Sequence, residues 1–132
     1  MTKWRPTSAM RLSKIAGVWL VGASLIMGGC VSVQPTAFPI GRHRLPAKPA
    51  DALVEVFREG LPSRPFEPVA RLNVHIEKTF FIPSAFQDAL PQLEKLARQY
   101  GADALIEIAE KKSRLNETFI YNVTATAISY RE

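Results

Sequence analysis

Cysteine and histidine are scarce in this sequence. Cys30 is the only cysteine among 132 residues, and histidine occurs twice. One cysteine excludes an internal disulfide, so disulfides cannot stabilise this chain. No dense group of metal-ligating residues stands at ligand spacing either. We therefore predict no metal site and no cofactor, and a weak metal-binding domain that uses His75 is kept only as an alternative.

Acidic residues are absent from the first fifty positions, since the first is Asp51. Four cations stand within the first fourteen of these positions: Lys3, Arg5, Arg11 and Lys14. The sequence also lacks an apolar run of the about 20 residues that span a membrane as a helix. The apolar run of residues 15–27 is shorter and contains glycines. A positive start, a short apolar run and small residues are typical of a secretory signal. We interpret residues 1–29 as a cleaved signal peptide, and a retained transmembrane anchor is the alternative.

Residues 25–30 read Leu-Ile-Met-Gly-Gly-Cys, which resembles the lipobox of bacterial lipoproteins. In that family a diacylglyceryl group is attached to the cysteine thiol, the chain is cut before the cysteine, and the new amino terminus is acylated. The resemblance implies cleavage between Gly29 and Cys30 and lipidation of Cys30. It also explains an unpaired cysteine in an exported protein. The membrane, reached through a covalent lipid on Cys30, is therefore the predicted partner.

The residue after the cysteine bears on localisation. In enteric-type lipoproteins an Asp at this position retains the protein in the inner membrane, and here the residue is Val31. We therefore expect the outer membrane, with the folded part facing the periplasm. The inner membrane is the alternative.

The basic character of the chain lies mostly in the predicted signal peptide. The whole sequence has 17 Lys and Arg against 12 Asp and Glu, and removal of residues 1–29 leaves 13 against 12. A nearly neutral mature chain lacks the positive balance typical of nucleic-acid-binding proteins. No nucleic-acid partner is predicted.

Prolines mark the next segment, residues 30–51. They are Pro35, Pro39, Pro46 and Pro49. Proline favours extended backbone, so we predict a lipid-anchored tether over this segment. Its cations either stay solvated or contact anionic headgroups; they are Arg42, Arg44 and Lys48. Residues 52–132 suffice for one small domain with a single core.

Residues 52–132 show the periodicities of strands and one helix. Residues 53–57 are rich in β-formers, and residues 69–81 alternate between apolar and polar, which predicts a strand with one buried face. Apolar residues spaced by three and four from Phe86 to Tyr100 predict an amphipathic helix. Pro91 leaves two possibilities. Either the helix begins near Asp88 after a separate turn of capping-box form at 84–87, or it begins earlier and is kinked.

The remaining residues predict two more strands, 104–108 and 118–130, with a polar loop at 111–117. The order is β-β-α-β-β, an α+β fold of two layers: a mostly antiparallel sheet with one helix packed on one face. Apolar and aromatic residues fall on both faces of the last strand. Either the fold itself covers both faces, or a partner covers the outer one.

Residues 97–106 read Ala-Arg-Gln-Tyr-Gly-Ala-Asp-Ala-Leu-Ile. A helix that ends in Ala-x-x-x-Gly-Ala-Asp-Ala before an apolar strand is similar to the RcsF-like and YbjQ-like domains of the bacterial envelope. Residues 62–70 and 124–130 resemble the opening turn and strand and the last strand of those domains. The resemblance implies their fold and an envelope setting. RcsF-type sensors also have disulfide cysteines that this chain lacks, so their stress-signalling role is not carried over.

Gly101 and Asp103 are predicted to shape the turn between the helix and the next strand. Glycine adopts positive φ without side-chain cost, and an aspartate can accept backbone hydrogen bonds. No nucleophile and base stand together, since Ser84 is interpreted as a helix cap and Cys30 is used by the lipid. No catalytic residue is predicted, and the chain is expected not to be an enzyme. We expect a lipid-anchored, non-enzymatic binding or accessory module with an envelope protein as candidate partner; a stress-sensing or structural lipoprotein is the alternative.

Overall fold

The computed structural model describes residues 30–42, 44–79 and 83–132. The predicted signal peptide, with Gly29, and residue His43 lie outside the described residues. Within these ranges the elements are β1 (Val31–Pro39), β2 (Glu55–Val56), β3 (Phe66–Lys78), α1 (Phe86–Gln99), β4 (Ala104–Leu115) and β5 (Thr118–Tyr130). The strands form one sheet in the order β1-β3-β5-β4-β2. The predicted α+β fold with a helix on a sheet is confirmed, and the described chain adds a strand, β1, and one parallel pair, β2 with β4.

Alternation along β3 and β5 produces the core under α1. Leu72 and Val74 of β3 are fully buried, and Ile76 is 1% exposed. They lie opposite Ala125, Val123 and Tyr121 of the antiparallel neighbour β5, all of which are buried. Because successive strand residues point to opposite faces, this register places every second residue under the helix and leaves the polar residues between them on the open face.

Helix α1 begins at Phe86, two residues before Asp88, so of the two predicted possibilities the earlier start applies. The Asp88 carboxylate accepts a hydrogen bond of 2.7 Å from the Ala85 N–H, which supports this start. Pro91 lies inside the helix, where its missing N–H leaves the Gln87 carbonyl without its helical donor. Both residues are exposed, so water can replace that bond. The helix buries four apolar residues against the sheet: Phe86, Ala89, Leu93 and Ala97.

Ser84 does not cap the helix, so the capping-box interpretation of residues 84–87 is wrong. The residue before the helix is Ala85, and it makes no side-chain cap. The Ser84 hydroxyl is buried without a hydrogen-bond partner among the described atoms. Asp88 performs the capping instead, because a carboxylate in the first turn both accepts a free N–H and favours the positive end of the helix dipole.

Strand β1 corrects the predicted tether over residues 30–51. It pairs along its whole length with β3, from Val31 opposite Lys78 to Pro39 opposite Ala70. Proline is tolerated here because β1 is an edge strand, on which half of the N–H groups face solvent and need no strand partner. Apolar and polar residues alternate only over residues 31–34, and the prolines concealed this short strand signal.

The rest of the predicted tether is also part of the domain. The Ile40 N–H donates to the Val69 carbonyl at 2.9 Å, and the Lys48 N–H donates to the Arg98 carbonyl at 2.8 Å. Leu45 packs against the main core. Residues 40–42 and 44–52 thus form a strap that crosses the carboxyl end of α1, where the Lys48 N–H joins the Gly101 N–H as a donor to the Arg98 carbonyl.

Strand β4 extends through the predicted polar loop of residues 111–117. It runs to Leu115 and pairs with β5 across a two-residue turn, Asn116–Glu117, in which Asn116 has a φ of 53°. Polarity misled the sequence interpretation because the outer edge of β4 beyond its two-residue pairing with β2 faces solvent. Charged residues on an exposed strand edge are common, since they oppose pairing with another chain.

A second apolar cluster covers one end of the open face. Ala104, Ile106 and Ile128 are buried there, with Phe57, Phe66 and Tyr130 packed against them. The Arg64 guanidinium lies 3.9 Å from the ring centre of Tyr130. Of the two possibilities left by the sequence, cover by the fold itself therefore applies at this end of β5.

Candidate functional site

Cys30 is exposed and stands directly before β1. The residue after it begins a row of paired residues that crosses four strands: Val31, Lys78, Phe119 and Arg114. Neighbouring strands lie about 4.8 Å apart, so this row spans roughly 15 Å from β1 to β4. We call this end of the sheet the anchor end. The cysteine and the β4–β5 turn therefore lie at the same end of the molecule.

Gly101 lies at the opposite end of the sheet and joins α1 to β4. Its φ is +71°, in the left-handed region that favours glycine. A Cβ placed on it would lie 2.6 Å from the Pro46 carbonyl oxygen and 2.7 Å from the Leu45 Cβ. Glycine is therefore required here for two reasons: the turn needs positive φ, and the strap packs directly on the backbone.

Asp103 connects three parts of the chain. Its carboxylate accepts the Tyr130 N–H at 2.8 Å and the Ser129 hydroxyl at 3.2 Å, and it pairs with the Lys48 ammonium. Its own carbonyl accepts the Glu55 N–H at 3.0 Å, which starts the pairing of β2. The sequence predicted that Asp103 accepts hydrogen bonds within the turn. In the structure its side chain contacts the last strand, β5, and the strap instead.

The open face of the sheet carries a hydrogen-bonded group that the sequence did not indicate. The Thr126 hydroxyl donates to the Glu107 carboxylate at 2.9 Å, and Arg71 donates to Thr126 at 3.0 Å and to Glu107 at 3.3 Å. Glu107 has a φ of 51° and sits where the β4–β5 register shifts. A bulge with positive φ re-aims a side chain at a local cost. The break in alternation at residues 105–108 was the available signal.

His75 lies on the same open face, two residues closer to the anchor end than Asn73. Its Nδ1 is 2.6 Å from Oδ1 of Asn122, and its Nε2 is 2.8 Å from Oε1 of Glu77. Both ring nitrogens face oxygen acceptors, so the protonated ring satisfies both bonds. The hydrogen bond to Glu77, followed by that to Asn122, raises the pKa of His75 above 6.5.

We expect NMR titration of the folded chain to give His75 a pKa above 6.5, and Glu77→Gln to lower it. The folded-state pKa is raised, so protonation stabilises the fold. This contribution is complete below the unfolded value of about 6.5 and is lost as the pH rises through the folded-state pKa. His43→Gln assigns the signal, and Glu117→Gln, on the β4–β5 turn, is the matched control. A His75 pKa at or below 6.5 would contradict the geometry.

The described residues contain no group of three or more His, Cys, Asp or Glu that could hold a metal ion. Tyr121, on β5, has a strongly perturbed pKa. Its burial, and then its hydrogen bond to Glu110, raises the pKa of the phenol far above 10. Glu110 also pairs with Arg58 at 2.9 Å. Tyr121 therefore remains a neutral donor that ties β5 to β4 beside the helix.

The strap and α1 line a shallow groove with a volume of about 410 Å³. Lys48, Lys95 and Arg98 line it. Two of these cations already have partners, because Lys48 pairs with Asp103 and Arg98 donates to the Ala52 carbonyl at 3.2 Å. The groove is better explained by packing of the strap than by ligand recognition.

No helix within residues 30–42, 44–79 and 83–132 is long and apolar enough to cross a membrane. The fold defines the class of the protein: an α+β domain with one helix packed on a five-stranded mixed sheet.

Comparison with known proteins supports the fold. No protein-family model matches this sequence, and no curated protein matches it significantly. Among solved structures, the crystal structure of the Francisella virulence factor FvfA, in its orthorhombic form, is similar with a TM-score of 0.52 and 18% identity. The match covers 76% of this chain and 100% of that chain. At this identity the likeness concerns the fold alone.

Proposed function

We propose that this chain is a lipid-anchored protein of the bacterial envelope whose folded part is a non-enzymatic binding or accessory module. One observation carries the proposal. Cys30, the only cysteine, ends the lipobox-like residues 25–30 and is exposed immediately before the first strand. Acyl chains on its sulfur and on its amino group need no rearrangement of the sheet, because the residue lies outside the core.

The open face supports the binding part of the proposal. Between the second apolar cluster and the anchor end, it presents polar side chains that the helix does not cover. Arg71 and Glu107 are both more than half exposed, with side-chain exposures of 54% and 57%. Buried Thr126 fixes the position of both. A surface of fixed hydrogen-bonding groups on rigid strands suits recognition of a protein partner. With Val31 after the cysteine, we place this surface in the periplasm, with the lipid in the outer membrane.

The anchor is tested with Cys30→Ser in the full chain expressed in a bacterium. In the lipobox pathway the thiol is lipidated before the chain is cut, so the variant should carry no lipid and should keep residues 1–29, whereas the wild-type chain should begin at Cys30. Mass spectrometry should detect acyl groups on the wild-type chain and none on the variant. Ser32→Ala, which keeps the cysteine, should fractionate like the wild type.

A wild-type chain that stays in the membrane fraction with residues 1–29 attached and without acyl groups would favour the alternative, an uncleaved hydrophobic anchor. An unmodified Cys30 in a wild-type chain that fractionates with the soluble proteins would overturn the proposal itself.

A further inference from the structure

The anchor end of the sheet carries exposed apolar and basic groups. Val31 is 51% exposed and Leu115 is 66% exposed. Residues 111–117 form the end of β4 and the β4–β5 turn. They contain three cations and one acid: Lys111, Lys112, Arg114 and Glu117. All four are exposed. This surface is therefore positive and has leucine at its tip.

The partners of these cations leave their charge available. Arg114 donates to the Asn116 carbonyl at 2.7 Å and lies 5.1 Å from the ring centre of Phe119. Lys112 lies 5.6 Å from the ring centre of Tyr121. Neither contact involves a carboxylate. The nearby acid Glu110 is already paired with Arg58, at 2.9 Å.

The anchor end also has a fixed relation to the lipid site. Val31 and Arg114 belong to the same row across the sheet, and the β4–β5 tip projects past that row as Cys30 does. A lipid on Cys30 would hold the headgroup layer at this level. No flexible spacer intervenes in the described chain, since β1 starts at the next residue.

We propose that the anchor end, formed by Val31, Lys111, Lys112, Arg114 and Leu115, lies on the anionic phospholipid surface of the membrane that holds the lipid. This inference rests on the proposed lipidation of Cys30. The cations attract the headgroups, and Leu115 enters the interface between them. The open face of the sheet then stands upright, perpendicular to the membrane, and is accessible from the periplasm.

The opposite end of the sheet cannot contact the headgroups of the same membrane surface at the same time. Arg42 and Arg44 follow Pro39, which lies eight residues along β1 from Val31. At about 3.4 Å per residue this places them roughly 27 Å from the anchor. The headgroup contact considered for these cations and Lys48 would therefore require β1 to leave the sheet.

The test uses the full chain, processed in bacteria, purified in detergent and reconstituted into vesicles. Leu115→Cys introduces a thiol for an environment-sensitive fluorophore, and Leu53→Cys is the matched control. Leu53 is 83% exposed and precedes β2, which pairs with the first residues of β4. Eleven strand residues, or roughly 35 Å, separate this end of β4 from Leu115. In the lipidated protein the Cys30 sulfur is a thioether, so each variant has one reactive thiol.

With vesicles that contain phosphatidylglycerol and brominated lipid, we expect strong quenching of the label at position 115 and little at position 53. Two populations of the domain are compared: those whose anchor end lies on the membrane and those whose anchor end does not. Replacing Lys111, Lys112 and Arg114 by Gln should lower the ratio of the first to the second about fivefold for each cation. Neutral vesicles of phosphatidylcholine with the same content of brominated lipid should show a comparable loss of quenching at position 115 with the unchanged cations.

The outcomes separate the two proposals. Two reactive thiols in each variant would show that Cys30 carries no lipid, which overturns the proposed function. One reactive thiol with equal quenching at positions 115 and 53 would overturn the proposal that the anchor end lies on the membrane. The proposed lipid on Cys30 would still stand. Equal quenching at position 115 on anionic and neutral vesicles would overturn the recognition of headgroup charge.

Discussion

Gly101→Ala should lower the free energy of unfolding by about 3 kcal/mol, through left-handed strain and overpacking together. Alanine at a φ of +71° incurs the first cost. The second follows because the new Cβ would lie 2.6 Å from the Pro46 carbonyl oxygen, a backbone atom that the strap holds in place. Urea denaturation followed by circular dichroism measures the change. A small domain has roughly 5–15 kcal/mol in total, so the variant loses a large part of its stability.

Gly60 provides a matched control for this prediction. It has the same φ, +71°, but a Cβ on it would meet nothing within 4 Å. Gly60→Ala should therefore cost only the strain, about 1 kcal/mol. The difference between the two variants measures the close approach of the strap. If both lose the same stability, the strap does not pack on Gly101 in solution.

Asp103→Ala should lower the free energy of unfolding by a similar amount, about 3 kcal/mol. The variant leaves the Tyr130 N–H and the Ser129 hydroxyl without their acceptor and removes the partner of Lys48. Asp103→Asn keeps one acceptor for Tyr130 and loses the charge, so it should cost less, about 1 kcal/mol. The same denaturation experiment reports both values.

Lys48→Ala removes the ion pair with Asp103 but keeps the hydrogen bond from the Tyr130 N–H to the Asp103 carboxylate. The Lys48 and Asp103 side chains are 31% and 26% exposed, and a partly exposed pair contributes at most about 1 kcal/mol. The lysine variant should therefore be much less destabilised than Asp103→Ala. A larger effect of Lys48→Ala would mean that the strap, and not the last strand, depends on this carboxylate.

The central strands and the helix could be predicted from periodicity. Residues 70–77 alternate strictly between apolar and polar, and α1 has apolar residues at spacings of three and four, so burial of one face follows from sequence alone. The glycine at the end of α1 was also predictable, because a helix commonly ends on a residue in the left-handed region. Its second requirement, the contact with the strap, depends on residues far away in sequence and has no local signal.

The edges of the sheet could not be predicted in the same way. In β1, Pro35 and Pro39 suggested a tether, because their cost in a strand vanishes only at an edge, and edge position is a property of the whole sheet. In β4, Lys111 and Lys112 suggested a loop for the same reason: an exposed edge selects charged residues. The group of Arg71, Glu107 and Thr126 depends on a bulge that aligns three strands, so pairwise spacing does not reveal it.

The antiparallel pairing of β1 with β3 determines how a pull on the lipid would be borne. A force applied at Cys30 acts along the axis of β1, from Val31 towards the membrane, while β3 runs beside it from Ala70 to Lys78. The ladder is therefore loaded in shear, and its hydrogen bonds resist together instead of opening one after another. Beyond β1, the bond from the Ile40 N–H to the Val69 carbonyl and the pair of Lys48 with Asp103 form a second point of attachment. With the lipid proposed for Cys30, this arrangement would give the domain mechanical strength without any covalent crosslink.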